Sequence, residues 1–347
     1  MATDEPQRIL LVAPNRVGDL VMATPAFRAI RARFPKANLT AMVRPFLTEL
    51  VEGTPWFDRV IAGHGRREGL VSLVRAVART RRGKFDLAVL FPNSFRSALV
   101  ARLGGCKRLA GYDRDGRGWL LTERATPRME GGRFVPMPTI GYYLELAGKL
   151  GAATSDRRME LFVSETNRAR AGEALRAAGL EEKRPLVLLS PGASYGPSKC
   201  WGAERFAHVA ELLSGKLGAG VGVICALSEM EQAREITKLA ECEVSIVGEG
   251  KLGLGALKGA IERADAVITN DTGPRHIAAA LGRAVVTIFG PTDPTWAEIG
   301  YERETAVRVE TDCGPCQLPV CPKDHRCMTR IEPERVFEET AKLLGRS

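Results

Sequence analysis

Residues 13–35 read APNRVGDLVMATPAFRAIRARFP and follow an apolar run, Ile9-Leu10-Leu11-Val12. A buried strand, a glycine turn and a helix are written here in succession. The glycines of the dinucleotide fingerprint G-x-G-x-x-G are absent, so the turn is not built to bring a pyrophosphate against the backbone. One glycine stands there, Gly18, and Asp19 follows it. A carboxylate at that point would repel a diphosphate. Either Asp19 caps the helix, as aspartate often does, or it has chemistry to perform. Pro25 also offers two readings: the helix starts at Thr24 with Pro25 in its first turn, or a helix begun at Asp19 is kinked there.

Outward from this stretch, RILLVA, NLTAMV, DRVIA and DLAVLF predict buried strands. Helical patterns run through Phe27, Ile30 and Phe34, from Leu70 to Thr80, and from near Ser94. The alternation restarts near residue 185. LVLLS, VGVIC, VSIV, AVIT and VVTIF predict strands, with helices over 203–217, 229–240, 254–264 and 273–281. PERVFEETAKLL closes the chain as an amphipathic helix. Strand–helix alternation means parallel sheets covered on both faces. Two series predict two Rossmann-like domains, residues 1–165 and 180–347, with ligands at the carboxyl ends of the strands. The charged, alanine-rich stretch 151–184 reads as the linker region.

The chain has 347 residues, 45% hydrophobic and 26% charged, the balance of a globular protein. No apolar stretch approaches the roughly 18 residues of a membrane span. The start, MATDEPQRIL, lacks the basic and apolar regions of a signal peptide, which predicts a cytoplasmic protein with mostly reduced cysteines. Cys106, Cys200 and Cys225 are scattered without a pairing pattern. The net charge of +9 is uneven: residues 1–180 hold 30 Lys and Arg against 17 Asp and Glu, and residues 181–347 hold 20 against 24. Arginines crowd the first half at 28, 31, 33, 66, 67, 75, 79, 81 and 82. Such a field attracts a polyanion or an anionic membrane, though a solvated basic face would look the same. With 6% aromatic residues and no nucleic-acid motif, no nucleic-acid partner is expected.

In the second half, a predicted strand at 266–269 runs into N-D-T-G-P-R-H, with Pro274 suited to a first helical turn. Free N–H groups at a helix start, reinforced by its dipole, form an anion site. Thr272 can donate a hydroxyl, Gly273 permits close approach, and His276 lies one turn in. Asp271 would repel a phosphate it faced and is expected to hydrogen-bond the turn. The stretch LVLLSPGASYGPSKCW is a second strand entering a glycine-rich loop, with Lys199 near its end for phosphate or ribose contacts.

Four stretches, VGDLVMATPAFR, FPNSFRSALV, SPGASYGPSKCW and NDTGPRHIAAALGRAVVTIFGPTDP, resemble in order the lipopolysaccharide heptosyltransferases of glycosyltransferase family 9. The likeness spans nearly the whole chain, and PNSFRSALV and PGASYGPSK lean toward the family's type II members. It implies the α/β GT-B fold of two facing Rossmann-like domains, and inverting transfer of heptose from ADP-heptose. The acceptor would be the heptose/Kdo inner core of lipopolysaccharide, anchored through lipid A, with peripheral contact on the anionic inner face of the inner membrane. It implies that Asp19 is the general base, in the first domain. In the second, Lys199, Glu231, Asp271, Thr272, Gly273 and His276 would hold the donor, with Glu229 competing for the ribose role of Glu231. Asn93, Ser94 and Arg96 fall on the acceptor side. Pro274-Arg275 replaces a pair that is more often apolar, so Arg275 would add charge near the donor, and Cys200 stands where a basic residue is usual. No cofactor is required by this chemistry. The alternatives are another family 9 transferase with a different sugar or acceptor, and a nucleotide-sugar-binding protein without turnover.

Two further patterns are ambiguous. Asp113-Arg114-Asp115 has the form of a metal-binding D-x-D, but its loop, GYDRDGRG, reads as an ordinary turn. Cys313, Cys316, Cys321 and Cys327, with His325 among them, have spacing that suits a structural zinc ion. Reduced thiols or a disulfide are the other readings.

Overall fold

The computed structural model describes residues 5–63 and 69–346. Arg66 and Arg67 of the basic run, and the first four residues of the chain, lie outside the described residues. The chain divides into two compact units, Met1–Glu160 and Leu161–Ser347.

The opening stretch folds as a strand and two helices. Strand β1 (Arg8–Val12) is followed by α1 (Val17–Met22) and α2 (Thr24–Arg33). Ala23 closes the first helix and opens the second, its N–H bonding Asp19 O at 3.1 Å and its carbonyl accepting from Phe27 N at 3.0 Å. Pro25 takes the first turn of α2, where a missing N–H has no helical partner to lose. The Thr24 start is therefore the one adopted. The cap position of α1 belongs to Arg16, so Asp19 does not cap; it lies in the first turn, near the positive end of the helix dipole.

In the first unit β2 (Asn38–Val43), β3 (Arg59–Ala62), β4 (Leu87–Leu90), β5 (Arg108–Tyr112) and β6 (Glu123–Ala125) join β1 in a parallel sheet ordered 3-2-1-4-5-6. β1 sits at the centre, paired with β2 from Arg8↔Asn38 to Val12↔Met42 and with β4 from Ile9↔Leu87 to Val12↔Leu90. Leu10, Ala88, Leu90 and Leu109 form its core with Ala98 and Ala101 from the helix after β4. The DRVIA strand is not buried as expected: β3 is the sheet edge, exposed at Arg59, Val60 and Ala62. Helices α3 (Leu70–Gly83), α4 (Phe95–Leu103) and α5 (Thr139–Gly148) complete the unit, with a hairpin of β7 (Met129–Glu130) and β8 (Arg133–Phe134).

The boundary between the units, Glu160–Leu161, falls within the stretch 151–184, and the second unit opens there with a helix the sequence reading did not show, α6 (Glu165–Ala177). Ser164 caps it, accepting from Asn167 N at 3.4 Å. Its buried stripe is only Asn167, Ala171 and Leu175 among charged neighbours, so composition hid it. Strands β9 (Leu186–Ser190), β10 (Gly220–Val223), β11 (Val244–Ile246), β12 (Ala266–Asn270), β13 (Ala284–Phe289) and β14 (Glu304–Arg308) form a second parallel sheet, ordered 11-10-9-12-13-14. Between them run α7 (Ala203–Leu217), α8 (Met230–Leu239), α9 (Leu254–Arg263), α10 (Gly273–Ala280) and α11 (Pro294–Ala297), followed by α12 (Arg326–Thr329) and α13 (Pro333–Leu343). A 3₁₀ turn at Leu227–Glu229 precedes α8, so that helix starts one residue later than predicted. The two sheets share one order. In each, the chain reverses direction across the sheet between the first and fourth strands, where open α/β sheets bind ligands.

Candidate active site

In the first unit Asp19 follows β1, while Asn93, Ser94 and Arg96 follow β4, the two strands flanking the reversal. Asp19 is half-buried, and α1 packs on α5. Tyr143 of α5 has its phenol pushed well above its ordinary value, first by burial and then by the Asp19 carboxylate. A neutral phenol thus stands within the field of that aspartate. Ser94 caps α4, accepting from Ser97 N at 3.4 Å. Asn93 Oδ1 accepts from Tyr142 OH at 3.0 Å and Arg117 Nη2 at 3.4 Å. Arg96 is half-buried in the first turn of α4.

Arg117 was missed by sequence reasoning. It is fully buried and holds the 92–97 loop from beneath, donating to Pro92 O, to Ser94 O at 3.4 Å, to Ser97 Oγ at 3.1 Å and to Tyr112 O at 3.0 Å. Burial lowers its pKa to about 10, which leaves it charged at neutral pH. Among the described residues it forms no ion pair. Its only signal in GYDRDGRG was the glycine on either side. Asp113 packs against Gly118 in the same loop, and a turn closed by Arg117 N to Arg114 O at 3.2 Å has Asp115 and Gly116 at its centre, both with positive φ.

In the second unit the corresponding places follow β9 and β12. Lys199 ends the loop after β9, and its Nζ donates to Asp271 O at 3.0 Å and Asp271 Oδ2 at 2.6 Å. An ammonium has three N–H groups, so one is left for a ligand. Asp271 also accepts from Arg275 at 3.1 Å and Thr292 Oγ1 at 3.1 Å, which replaces the turn hydrogen bond expected of it. Burial opposes its ionisation, but Lys199 and Arg275 outweigh that and hold the carboxyl below its usual range. Arg275 is spent as well: it grips Glu304 through two bonds of 2.5 and 2.9 Å. The two cations and two carboxylates balance, so Arg275 adds no net charge toward a donor.

Positive potential comes instead from the start of α10. Thr272 holds the cap position without a side-chain cap bond, and Gly273 is the first helical residue. His276, one turn in, is buried, and burial followed by the Arg275 charge pushes its imidazole down to about 3. It is therefore neutral. Its Nδ1 is buried without a hydrogen-bond partner among the described residues, as is Oδ1 of Asn270 at the end of β12. Of the two ribose candidates, Glu231 is exposed. Glu229 accepts from Ala226 N at 2.9 Å and lies against Gly192 of the loop after β9, where a Cβ would collide with its carboxylate.

The cysteine-rich loop braces the lysine loop. Ser198 N and Oγ donate to Pro319 O at 3.1 Å and Leu318 O at 2.6 Å, His325 Nε2 pairs with Ser198 O at 2.7 Å, and Tyr195 OH donates to Gln317 O at 2.5 Å. Cys313, Cys316, Cys321 and Cys327 line one pocket of ≈ 20 Å³ with His325. All are free thiols. Among the described residues no three His, Cys, Asp or Glu groups converge as a metal ion requires, so the zinc set read from spacing is not assembled. Spacing brought Cys313, Cys316 and Cys321 to one loop and Cys327 to the short helix α12 after it, but His325 turns its Nε2 to Ser198.

Two Rossmann-like units, each with polar residues after its first and fourth strands, form the α/β architecture shared by GT-B glycosyltransferases. Residues 74–326 match the model of glycosyltransferase family 9 (heptosyltransferase), and the chain belongs to that family. It is 27% identical to lipopolysaccharide heptosyltransferase 2 of Escherichia coli K12, across 97% of this chain and 98% of that protein. The structure of E. coli ADP-heptose LPS heptosyltransferase II superposes with a TM-score of 0.81 at 25% identity, covering 97% of this chain and 98% of that one. A family 9 glycosyltransferase from Veillonella parvula shares the fold, with a TM-score of 0.84 at 23% identity over 100% and 99% of the two chains.

Proposed function

We propose that this family 9 enzyme transfers heptose from ADP-heptose to the heptose/Kdo inner core of lipopolysaccharide, adding the second heptose with inversion. The observation that carries this reading is the shared placement of the two candidate sets, each at the reversal point of its own sheet. One set offers a carboxylate and the other an anion-binding helix start.

Asp19 acts as the general base. The acceptor hydroxyl oxygen forms a bond to the anomeric carbon as the bond from that carbon to the diphosphate oxygen breaks. The hydroxyl proton passes to Asp19, and ADP departs with the electron pair. A carboxylate within reach contributes about 10² to 10⁴ in rate. The charge that develops on the leaving diphosphate is met by the N–H groups of Thr272 and Gly273, the third N–H of Lys199 and the neutral imidazole of His276. Asp271 serves this site through Lys199, and Glu229, rather than Glu231, takes the ribose. Asn93, Ser94 and Arg96 receive the phosphorylated acceptor on the basic first unit. That acceptor is lipid-anchored, so the enzyme works in peripheral contact with the anionic inner face of the inner membrane. No helix among the described residues is long and apolar enough to cross it.

The test is incubation with ADP-heptose and a truncated core acceptor, with the product identified by mass spectrometry. The acceptor should gain one heptose per ADP released. An unchanged acceptor, or ADP release without sugar transfer, overturns the reading.

A further inference from the structure

Helix α3 turns an apolar, arginine-flanked face to solvent. Its inner side is thin, with Ala76 and Thr80 buried and Leu73 and Val77 half-buried. On the outer side Leu70, Val71 and Val74 are 75%, 65% and 59% exposed. With 3.6 residues per turn these three occupy an arc of about 100°. Arg75, Arg79 and Arg82 follow along the same outer face, and the helix carries no acidic residue. Beside it, a groove of ≈ 400 Å³ runs along the edge strand β3, lined by Arg59, Ile61, Arg79, Arg82 and Phe85.

The arginines here differ from those of α2. Arg28, Arg31 and Arg33 are matched by Glu160, Asp58 and Glu5. Among the described residues Arg59, Arg75, Arg79 and Arg82 form no ion pair; Arg79 donates to the backbone carbonyl of Ala62. Unmatched arginines beside exposed aliphatic side chains fit a surface that is anionic outside and apolar within. A second copy of this chain would set arginine against arginine across a two-fold axis. A nucleic acid would leave the leucine and valines without a partner.

We propose that the outer face of α3 and the groove beside β3 form a docking surface for an anionic bilayer. Leu70, Val71 and Val74 enter the boundary of the acyl chains, while Arg59, Arg75, Arg79 and Arg82 meet headgroup phosphates. Each such arginine strengthens binding about fivefold at moderate ionic strength, and the gain fades in high salt. The bilayer contact rests on the proposed function, where the acceptor is lipid-borne; its location is argued from α3 and β3 alone.

The experiment is co-sedimentation of the full chain with vesicles of phosphatidylethanolamine and phosphatidylglycerol, against vesicles of phosphatidylcholine. Binding should require phosphatidylglycerol and weaken with salt. A triple variant, Leu70→Ser with Val71→Ser and Val74→Ser, and a double variant, Arg79→Glu with Arg82→Glu, should each bind at least about tenfold less with unchanged melting temperatures. Both variants should glycosylate a delipidated, water-soluble core acceptor at the wild-type rate and a vesicle-embedded one more slowly. Wild-type protein that stays in the supernatant, or variants that sediment as well as wild type, overturn the proposal. So does a dimer abolished by the triple variant, or nucleic-acid binding abolished by the double one. Failure of wild-type protein to turn over either acceptor overturns the proposed function instead, and leaves vesicle binding as a separate result.

Discussion

The two units share a strand order and place their polar loops after the same strands, yet at those loops they handle charge in opposite ways. In the first unit the buried cation, Arg117, is surrounded by carbonyls, a hydroxyl and an amide, and no acid pairs with it among the described residues. In the second, Lys199 and Arg275 are balanced by Asp271 and Glu304, and an uncharged histidine stands beside them. Topology therefore fixes where a site forms, and side chains decide what it attracts. A positively biased first unit suits a phosphorylated acceptor. In the proposed function the balanced second unit leaves a helix start to receive the donor's diphosphate, without the repulsion that an unpaired Asp271 would bring.

The sharpest way to break this contrast is at Asp19. Asp19→Asn should lower turnover at least about a hundredfold while ADP affinity, measured by calorimetry, stays unchanged, since the proposed donor residues belong to the other unit. Near-normal turnover would reduce Asp19 to a favourable charge at a helix start.

The second unit's balance is tested next. Arg275→Met leaves Asp271 and Glu304 buried with one cation between them, and should cost about 3–5 kcal/mol in denaturant unfolding. Lys199→Met leaves both carboxylates on Arg275, so its stability loss should be smaller while ADP binding weakens. Equal stability losses would show that Arg275 is not the centre of the network.

A pH series sharpens the role of His276. Its folded imidazole takes a proton only near pH 3, whereas the unfolded chain takes one near 6.5. The unfolded state therefore binds more protons between these values. Stability should fall as pH drops through that window, by up to about 1.4 kcal/mol per unit. His276→Gln should flatten this slope; an unchanged slope would place the titrating group elsewhere. Asp271, held low by Lys199 and Arg275, contributes stability that is lost only further down, below its ordinary value near 3.8. The smallest effect separates the two glutamates. Glu229→Gln keeps an acceptor oxygen but loses the charge, and should weaken ADP binding several-fold, about 1 kcal/mol, and Glu231→Gln should leave it unchanged. The reverse pattern in calorimetry would restore Glu231.

What was legible and what was not follow from how each residue acts. The strands flanking each reversal point could be read because they are continuous apolar runs closed by turn residues, as at Ile9–Val12 and Ala266–Thr269. Asp19 could be singled out because a carboxylate after a lone glycine conflicts with the nucleotide reading of that turn. Helix α6 was lost because its buried stripe is three residues wide, and β3 was misjudged because VIA is apolar whether it lies at the centre of a sheet or at its edge. Lys199 was visible as a residue, but not its partner: Asp271 lies 72 positions away. The same holds for Arg275, whose second carboxylate comes from β14, and for Arg117, which reaches a loop 20 to 25 residues earlier.

By itself, then, the sequence determined the class of architecture, the two strand–helix series, the imbalance of charge between the halves and the motifs of a family 9 transferase, because periodicity and spacing are local properties of a chain. Tertiary structure decided which charges are free. It tied Lys199 to Asp271, matched Arg275 with Glu304, buried Arg117 under the 92–97 loop and turned Glu229 rather than Glu231 toward Gly192. Whether a charge is matched or left to attract a ligand depends on what stands within a few ångströms of it, and only the folded chain sets those distances.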